Sequence, residues 1–278
     1  MSGQGLPFFL PVGEGRAGQR FGLHHPAAGQ APRGLVVYVH PFAEEMNKAR
    51  RMAALQSRQL ANAGFEVLQI DLHGCGDSSG EFEAASWQDW ICDVVQAVAW
   101  LRDRHGAPVW LWGLRVGCLL AADAARQLEC PVNLLFWQPT TSGRAALQQF
   151  LRLRTVGAAM EGASPAARDD ARTELAAGRH VAVGGYLLSP ALAQGMEQAM
   201  LAPVPRLDRA VWLEVSTRPE ATLLPATERA LQDWRGAGAC VDARVVTGPA
   251  FWQTVEIEDA PDLLAATLAA LRVETVPA

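Results

Sequence analysis

Arg115 stands where its neighbours lead one to expect a reactive oxygen. The segment Pro108-Val109-Trp110-Leu111-Trp112-Gly113-Leu114-Arg115-Val116-Gly117-Cys118 reads as an apolar strand, a turn flanked by two glycines, and the start of a helix. In that setting a G-x-S-x-G sequence holds a serine on a sharp strand-to-helix turn, with its hydroxyl exposed for acyl transfer. Here the sequence is G-x-R-x-G, and a guanidinium that stays protonated is no nucleophile. An activated serine also needs an adjacent base, which follows it in chain order on such sheets. The histidines are His24, His25, His40, His73, His105 and His180, so none comes after residue 180. Past the closing strand, where the base is expected, stand Phe251 and Trp252. Nucleophile and base of an ordinary Ser-His-Asp mechanism are both missing from their expected places.

An arginine at a helix start creates an electrostatic demand. Cations near the positive end of the helix dipole cost about 0.3–1 kcal/mol at exposed positions. A negative partner is therefore expected beside Arg115, and two arrangements supply one. In the first, Glu44 or Glu45 forms an internal ion pair that plugs the site. In the second, an external carboxylate or phosphate sits between the guanidinium, the helix N-terminus and two backbone N–H groups. Phe42 and Val116 are the expected owners of those N–H groups. The two arrangements are compatible if a ligand competes with the carboxylate. The candidate ligand-binding residues are His40, Phe42, Glu44, Glu45, His73, Arg115, Val116, Gln138 and Trp252. Catalytic residues are unknown; Glu44, Glu45 and Asp71 are the candidate proton carriers. His73 and Cys75 are close in sequence, but local packing accounts for both.

The elements that must hold these residues alternate in type. Short strands at 7–12 and 19–23 form an expected hairpin at a sheet edge. The run at 34–39 is apolar throughout, as in a strand buried on both faces. Helical spacing follows at 47–63, a strand at 65–72, and a helix at 87–103 with Ser86 as N-cap. The strand at 109–114 leads into a helix from 115 to about 128, and another strand spans 132–137. This order predicts a mostly parallel sheet covered by helices on both faces. Alternation then stops. Residues 140–205 read as an inserted cap, with a helix at 143–156 and a small, polar, exposed stretch at 162–170. The core, 1–139 and 206–278, resumes with a strand at 211–215, a helix near 226–234, a strand at 241–246 and a last helix at 261–271. Ligands in such sheets bind beyond the carboxyl ends of the strands. Those ends are the 40–51 loop, the 71–80 loop, the Arg115 turn and Gln138-Pro139.

Composition narrows the function classes. A formal charge of −5 without a basic run argues against nucleic acid as a partner. No apolar stretch reaches the roughly 20 residues a membrane helix needs, and the N-terminal residues do not read as a signal peptide. Five irregularly spaced cysteines suggest reduced thiols and a cytoplasmic location. Neither metal-ligand spacing nor a phosphate-binding glycine loop is present, so no metal and no cofactor are expected.

The combined pattern resembles one group of α/β-hydrolase-like proteins, the exosortase A system-associated hydrolase 2 family. The matching pieces are His40-Pro41-Phe42-Ala43-Glu44-Glu45-Met46-Asn47-Lys48, the 71–80 loop and Trp112-Gly113-Leu114-Arg115. They continue with Phe136-Trp137-Gln138-Pro139, Gln148-Gln149-Phe150-Leu151-Arg152, and Gly248-Pro249 with Phe251-Trp252-Gln253. The resemblance implies a bacterial cytoplasmic protein linked to PEP-CTERM protein sorting and exopolysaccharide production, with a second hydrolase-like protein as neighbour. Fold does not fix function, and three readings follow. The first is a protein that binds or processes an anionic acyl, glycosyl or phosphoryl compound, with Arg115 as electrophile in any reaction. The second is a catalytically dead scaffold that engages a partner protein through its cap. The third is an atypical hydrolase with a non-standard nucleophile, either Cys75 or a serine brought in by the cap.

Overall fold

Apolar runs buried on both faces lay out the sheet. The computed structural model describes residues 4–13, 18–160 and 167–272. It begins with β1 (Leu6–Pro11), β2 (Gln19–His25), β3 (Gly34–Val39), α1 (Glu44–Asn62) and β4 (Phe65–Ile70). Next come α2 (Trp87–Arg102), β5 (Val109–Leu114), α3 (Val116–Gln127) and β6 (Val132–Trp137). The stretch expected as an insertion follows with α4 (Gly143–Met160), α5 (Ala167–Ala176), β7 (Val181–Val183), β8 (Tyr186–Leu188) and α6 (Pro190–Gln198). The chain then returns through β9 (Leu207–Ser216), α7 (Pro225–Gly236), β10 (Val241–Thr247) and α8 (Pro261–Arg272).

Among the described residues, eight strands form one sheet in the order β1-β2-β4-β3-β5-β6-β9-β10. The entry hairpin is antiparallel, β2 joins β4 antiparallel, and every pair from β4 to β10 is parallel. Successive residues of a strand point to opposite faces, and β3 divides accordingly. Leu35, Val37 and Val39 pack with Trp90 and Val94 of α2 and Leu119 of α3. Val36 and Tyr38 pack with Met52 and Leu60 of α1 and Leu263 of α8. The expected mostly parallel sheet with helices on both faces is what the chain forms.

Local chemistry explains the boundaries. The Ser86 hydroxyl accepts from the Asp89 N–H at 3.1 Å, and the Asp89 carboxylate reaches back to the Ser86 N–H at 3.1 Å, so α2 starts on a capping box. Helix α1 begins at Glu44, three residues before the expected 47. Ala43 turns the chain sharply at φ 51°, and two acids then occupy the first turn, where the helix dipole favours them.

The described residues of 140–205 add no strand to the main sheet; β7 and β8 pair only with each other. Gly184 and Gly185 join them at φ 54° and 85°, the two positive values a tight two-residue hairpin needs. Periodicity missed this hairpin because each strand is three residues long. Part of the stretch expected to be exposed, 162–166, lies outside the described residues, while 167–170 open α5 rather than a loop. The insertion is tied to the core where the Ser189 hydroxyl donates to the Ala85 carbonyl oxygen at 2.7 Å. No helix among the described residues is long and apolar enough to cross a membrane.

Two glycines seat α3 in this frame. A Cβ on Gly117 would run into the carbonyl oxygens of Val39 and His40, the latter at 2.6 Å, and one on Gly113 would meet the Cys118 Cα at 2.6 Å. Backbone atoms cannot swing aside as a flexible side chain can. Gly117→Ala is therefore expected to destabilise the fold by about 1–3 kcal/mol. A lower urea midpoint with an unchanged slope would be the readout; an unchanged midpoint would mean that α3 is not seated against the end of β3.

Candidate functional site

The turn between β5 and α3 fixes Arg115 before its side chain makes any contact. Its N–H donates to the Trp137 carbonyl oxygen at 3.0 Å, and its own carbonyl oxygen accepts from Cys118 at 3.1 Å and Thr140 at 3.3 Å. Arg115 is the N-cap of α3, at φ 56° and ψ −118°. The sharp turn is thus carried by the arginine itself, not by the glycines beside it. A non-glycine residue held there stores about 1–3 kcal/mol. Ala43, before α1, has nearly the same conformation at φ 51° and ψ −128°. Two helices therefore start from matching turns beyond β3 and β5, which lie side by side. The N–H groups of Phe42 and Val116 donate to no group among the described residues.

The expected counter-charge is Glu45. Its Oε1 lies 3.4 Å from Arg115 Nε and accepts from Gln253 Nε2 at 3.5 Å. Both contacts are long for hydrogen bonds. The pair is not sealed, since the two side chains remain 18% and 23% exposed. Burial nevertheless raises the Glu45 carboxyl above the usual carboxylate range, while Arg115, Gln253 and Lys48 act to lower it. The terminal guanidinium nitrogens of Arg115 donate to no acceptor among the described residues. Trp252 covers the cation from the other loop, its ring centroid 5.8 Å from Cζ, within reach of a cation–π attraction. Trp252 is itself buried, and its indole N–H lacks an acceptor among the described residues. So the loop expected to carry a base delivers an aromatic face and an amide instead.

These groups line a cavity of about 350 Å³. Phe42, Glu44, Glu45, Arg115, Val116 and Trp252, all expected at the site, are in its wall. Sequence reasoning missed Lys48 and Gln253 as well as the insertion's share, Ala146, Gln149, Phe150, Leu153 and Met196. The 146, 150, 153 spacing of one helix face was visible, but not which cavity it would meet. Glu44 accepts from Tyr186 Oη at 3.3 Å and Asn47 Nδ2 at 3.1 Å rather than from Arg115.

Four other candidates sit elsewhere. His40 is buried and donates from Nδ1 to the Pro41 carbonyl oxygen at 2.8 Å, while Nε2 accepts from the Leu72 N–H at 3.4 Å. Burial lowers its pKa and keeps this neutral tautomer. Asp71 accepts from Arg50 Nη2 and the Asp77 N–H, both at 3.1 Å. His40 and Asp71 flank a separate cavity of about 40 Å³. His73 accepts from Arg20 Nη2 at 3.0 Å and packs against Gly80, holding the 71–80 loop to β2. Gln138, at φ 43°, accepts at Oε1 from the Val215 N–H at 2.7 Å and knits β6 to β9. Cys75 is buried, which pushes its thiol far above the usual range, so it offers no thiolate. Among the described residues no group of three histidine, cysteine, aspartate or glutamate side chains could hold a metal ion.

Comparison with known proteins fits this geometry. A family model described as serine aminopeptidase, S33 matches residues 30–170. Human Protein ABHD12B is 36% identical over 105 residues, a match that spans 36% of this chain and only 28% of that protein. A thermostable carboxyl esterase from Bacillus coagulans, solved with glycerol, superposes with a TM-score of 0.63 at 15% identity over 98% of both chains. Mouse alpha/beta hydrolase domain-containing protein 10 does so at 0.61 and 15% identity over 96% of both chains. These likenesses show an α/β-hydrolase fold.

Two outcomes test the geometry. Glycine accepts the Arg115 backbone conformation and alanine does not. Arg115→Gly is therefore expected to be more stable than Arg115→Ala by about 1–2 kcal/mol in thermal melts; equal stability would remove the strain. The second concerns pH. A raised carboxyl binds its proton more tightly in the folded state than in the unfolded chain. Stability then falls as pH rises from the ordinary carboxylate range through the raised value. Glu45→Gln should match the native protein at low pH and gain relative stability across that window. Parallel stability–pH profiles would show that Glu45 titrates as it does in the unfolded chain.

Proposed function

Because this chain belongs to the serine aminopeptidase S33 family of α/β-hydrolase-fold proteins, we propose that it has turned the family's nucleophile turn into an anion receptor. In this reading it lacks the Ser-His-Asp triad and binds, or processes, an anionic acyl, glycosyl or phosphoryl compound. The observation that carries the reading is the open fork of Arg115. Glu45 hydrogen-bonds only Nε, at 3.4 Å, Arg115 lines an open cavity, and its two terminal nitrogens have no hydrogen-bond acceptor among the described residues. Two parallel donors in one plane match a carboxylate or phosphate. The N–H groups of Phe42 and Val116, both in residues that line the cavity, would add donors at two helix N-termini.

Residues 140–205 act in this reading as a cap over the cavity. Glu45, the carboxylate that meets Arg115, is the first candidate for any proton transfer; Glu44 also lines the cavity but is engaged by Tyr186 and Asn47, and Asp71 lies outside the wall. The motifs shared with the exosortase-associated group support a cytoplasmic role beside PEP-CTERM sorting and exopolysaccharide production, with a second hydrolase-like protein as a partner. A scaffold that engages a protein through the cap is the second reading. Exposed Leu187 and Met200 favour it, and a cavity beside Arg115 that the protein's own side chains leave open weighs against it.

Two measurements separate these readings from an ordinary hydrolase. A fluorophosphonate probe should label no serine, and p-nitrophenyl esters should not turn over above background. Stoichiometric labelling of a serine would overturn the reading. In a thermal-shift screen, anionic metabolites should raise the melting temperature of the native protein but not of Arg115→Ala. Equal shifts in both would place the binding site elsewhere, and no shift with any anion would favour the scaffold.

A further inference from the structure

The charge on the cavity wall comes from one part of the chain, while apolar groups come from both. The core contributes all of that charge: Arg115, Glu44, Glu45 and Lys48, whose ammonium donates to the Gln253 carbonyl oxygen at 3.3 Å. It also contributes the apolar Phe42, Ala43, Val116 and Trp252. The insertion contributes mainly carbon and sulfur. Ala146, Phe150 and Leu153 recur at helical spacing on one face of α4, and Met196 joins them from α6. Phe42 ties the two parts together, its ring edge-on to Phe150 at 4.9 Å. Leu153 is 55% exposed although it belongs to this wall. A sugar ring seated here would leave hydroxyls against apolar side chains, and an unpaired buried hydroxyl is costly. A hydrocarbon chain gains from the same wall and would cover Leu153.

We propose that the ligand is a single-chain amphiphile, with a carboxylate or phosphate head seated on Arg115 in place of Glu45 and a hydrocarbon tail along the α4 face. This rests on the anion-receptor reading and narrows its ligand from three chemical classes to one. Glu45 is a poorly held internal occupant. Its contacts are long, and burial works against its charge. A ligand head that reaches the two free guanidinium nitrogens makes the bidentate contact that Glu45 does not. The cavity of about 350 Å³ holds about a dozen water-sized groups at roughly 30 Å³ each, the size of decanoate.

Isothermal titration of the full chain tests this with octanoate, decanoate, decyl phosphate, decanol, acetate, inorganic phosphate and glucose 6-phosphate. Affinity is expected to rise about fourfold per added methylene between octanoate and decanoate. Decanoate should bind at least about 100-fold more tightly than acetate, and decyl phosphate likewise over inorganic phosphate. Decanol, which lacks the charge, should bind at least about tenfold more weakly than decanoate. Removing the competitor by Glu45→Gln should tighten decanoate by about tenfold. Leu153→Asp, at a position exposed enough to leave the fold intact, should weaken decanoate by at least about tenfold; a native melting midpoint serves as the folding control. Inorganic phosphate or glucose 6-phosphate binding as tightly as decyl phosphate would overturn the amphiphile and leave the anion receptor standing. Weaker decanoate binding by Glu45→Gln would overturn displacement of that carboxylate. Failure of every anion to bind would remove both proposals.

Discussion

Gly117 lies against the carbonyl oxygens that end β3, and the site depends on that approach. Because α3 comes so close, the chain must leave β5 and enter the helix within one residue. That residue is Arg115, held at positive φ by three backbone hydrogen bonds. Its side chain has little choice of direction once its backbone is fixed. The neighbouring strand repeats the device at Ala43, so α1 also starts beside the cavity and presents Glu45 and Lys48 from its first turns. Strain of about 1–3 kcal/mol at each such turn is tolerated because the packing of β3, β5 and α3 over-determines it.

Electrostatics then gives the site its character. Helix α1 carries two acids in its first turn, as its dipole favours, whereas α3 carries none and has a cation at its N-cap. The demand created at α3 is met from outside that helix, in part by Glu45 and in part by the face of Trp252. Neither partner uses the guanidinium fork. An ion pair evolved only to fill a disused site would be expected to close on both terminal nitrogens and exclude water. This one stays about a fifth exposed beside an open cavity.

Much of this was legible in the sequence, for reasons that vary by element. The apolar run of β3, the Gly113–Gly117 turn and the Ser86 cap are local signals, and the structure follows them. The pairing of Arg115 with a carboxylate was foreseeable from the helix dipole, and the structure selects Glu45 over Glu44 because Tyr186 and Asn47 engage the latter. His40, Asp71, His73 and Gln138 were placed near the site because each lies at or just beyond a strand end. Their side chains instead satisfy backbone groups or buried ions of the core, which sequence position does not reveal. Lys48, Gln253 and the apolar face of α4 were not foreseen as cavity residues, because only the three-dimensional docking of the insertion brings them to the core. The β7–β8 hairpin was marked by its paired glycines, yet its strands are too short to show a period.

The most direct measurement of the central claim is anomalous diffraction from crystals of this protein soaked in selenate, a tetrahedral dianion whose selenium can be located without ambiguity. The account expects a selenium peak within hydrogen-bonding reach of both terminal nitrogens of Arg115, with the Glu45 carboxylate displaced from Nε. A guanidinium held bidentate by Glu45, with no anomalous peak in the cavity at any selenate concentration, would contradict it.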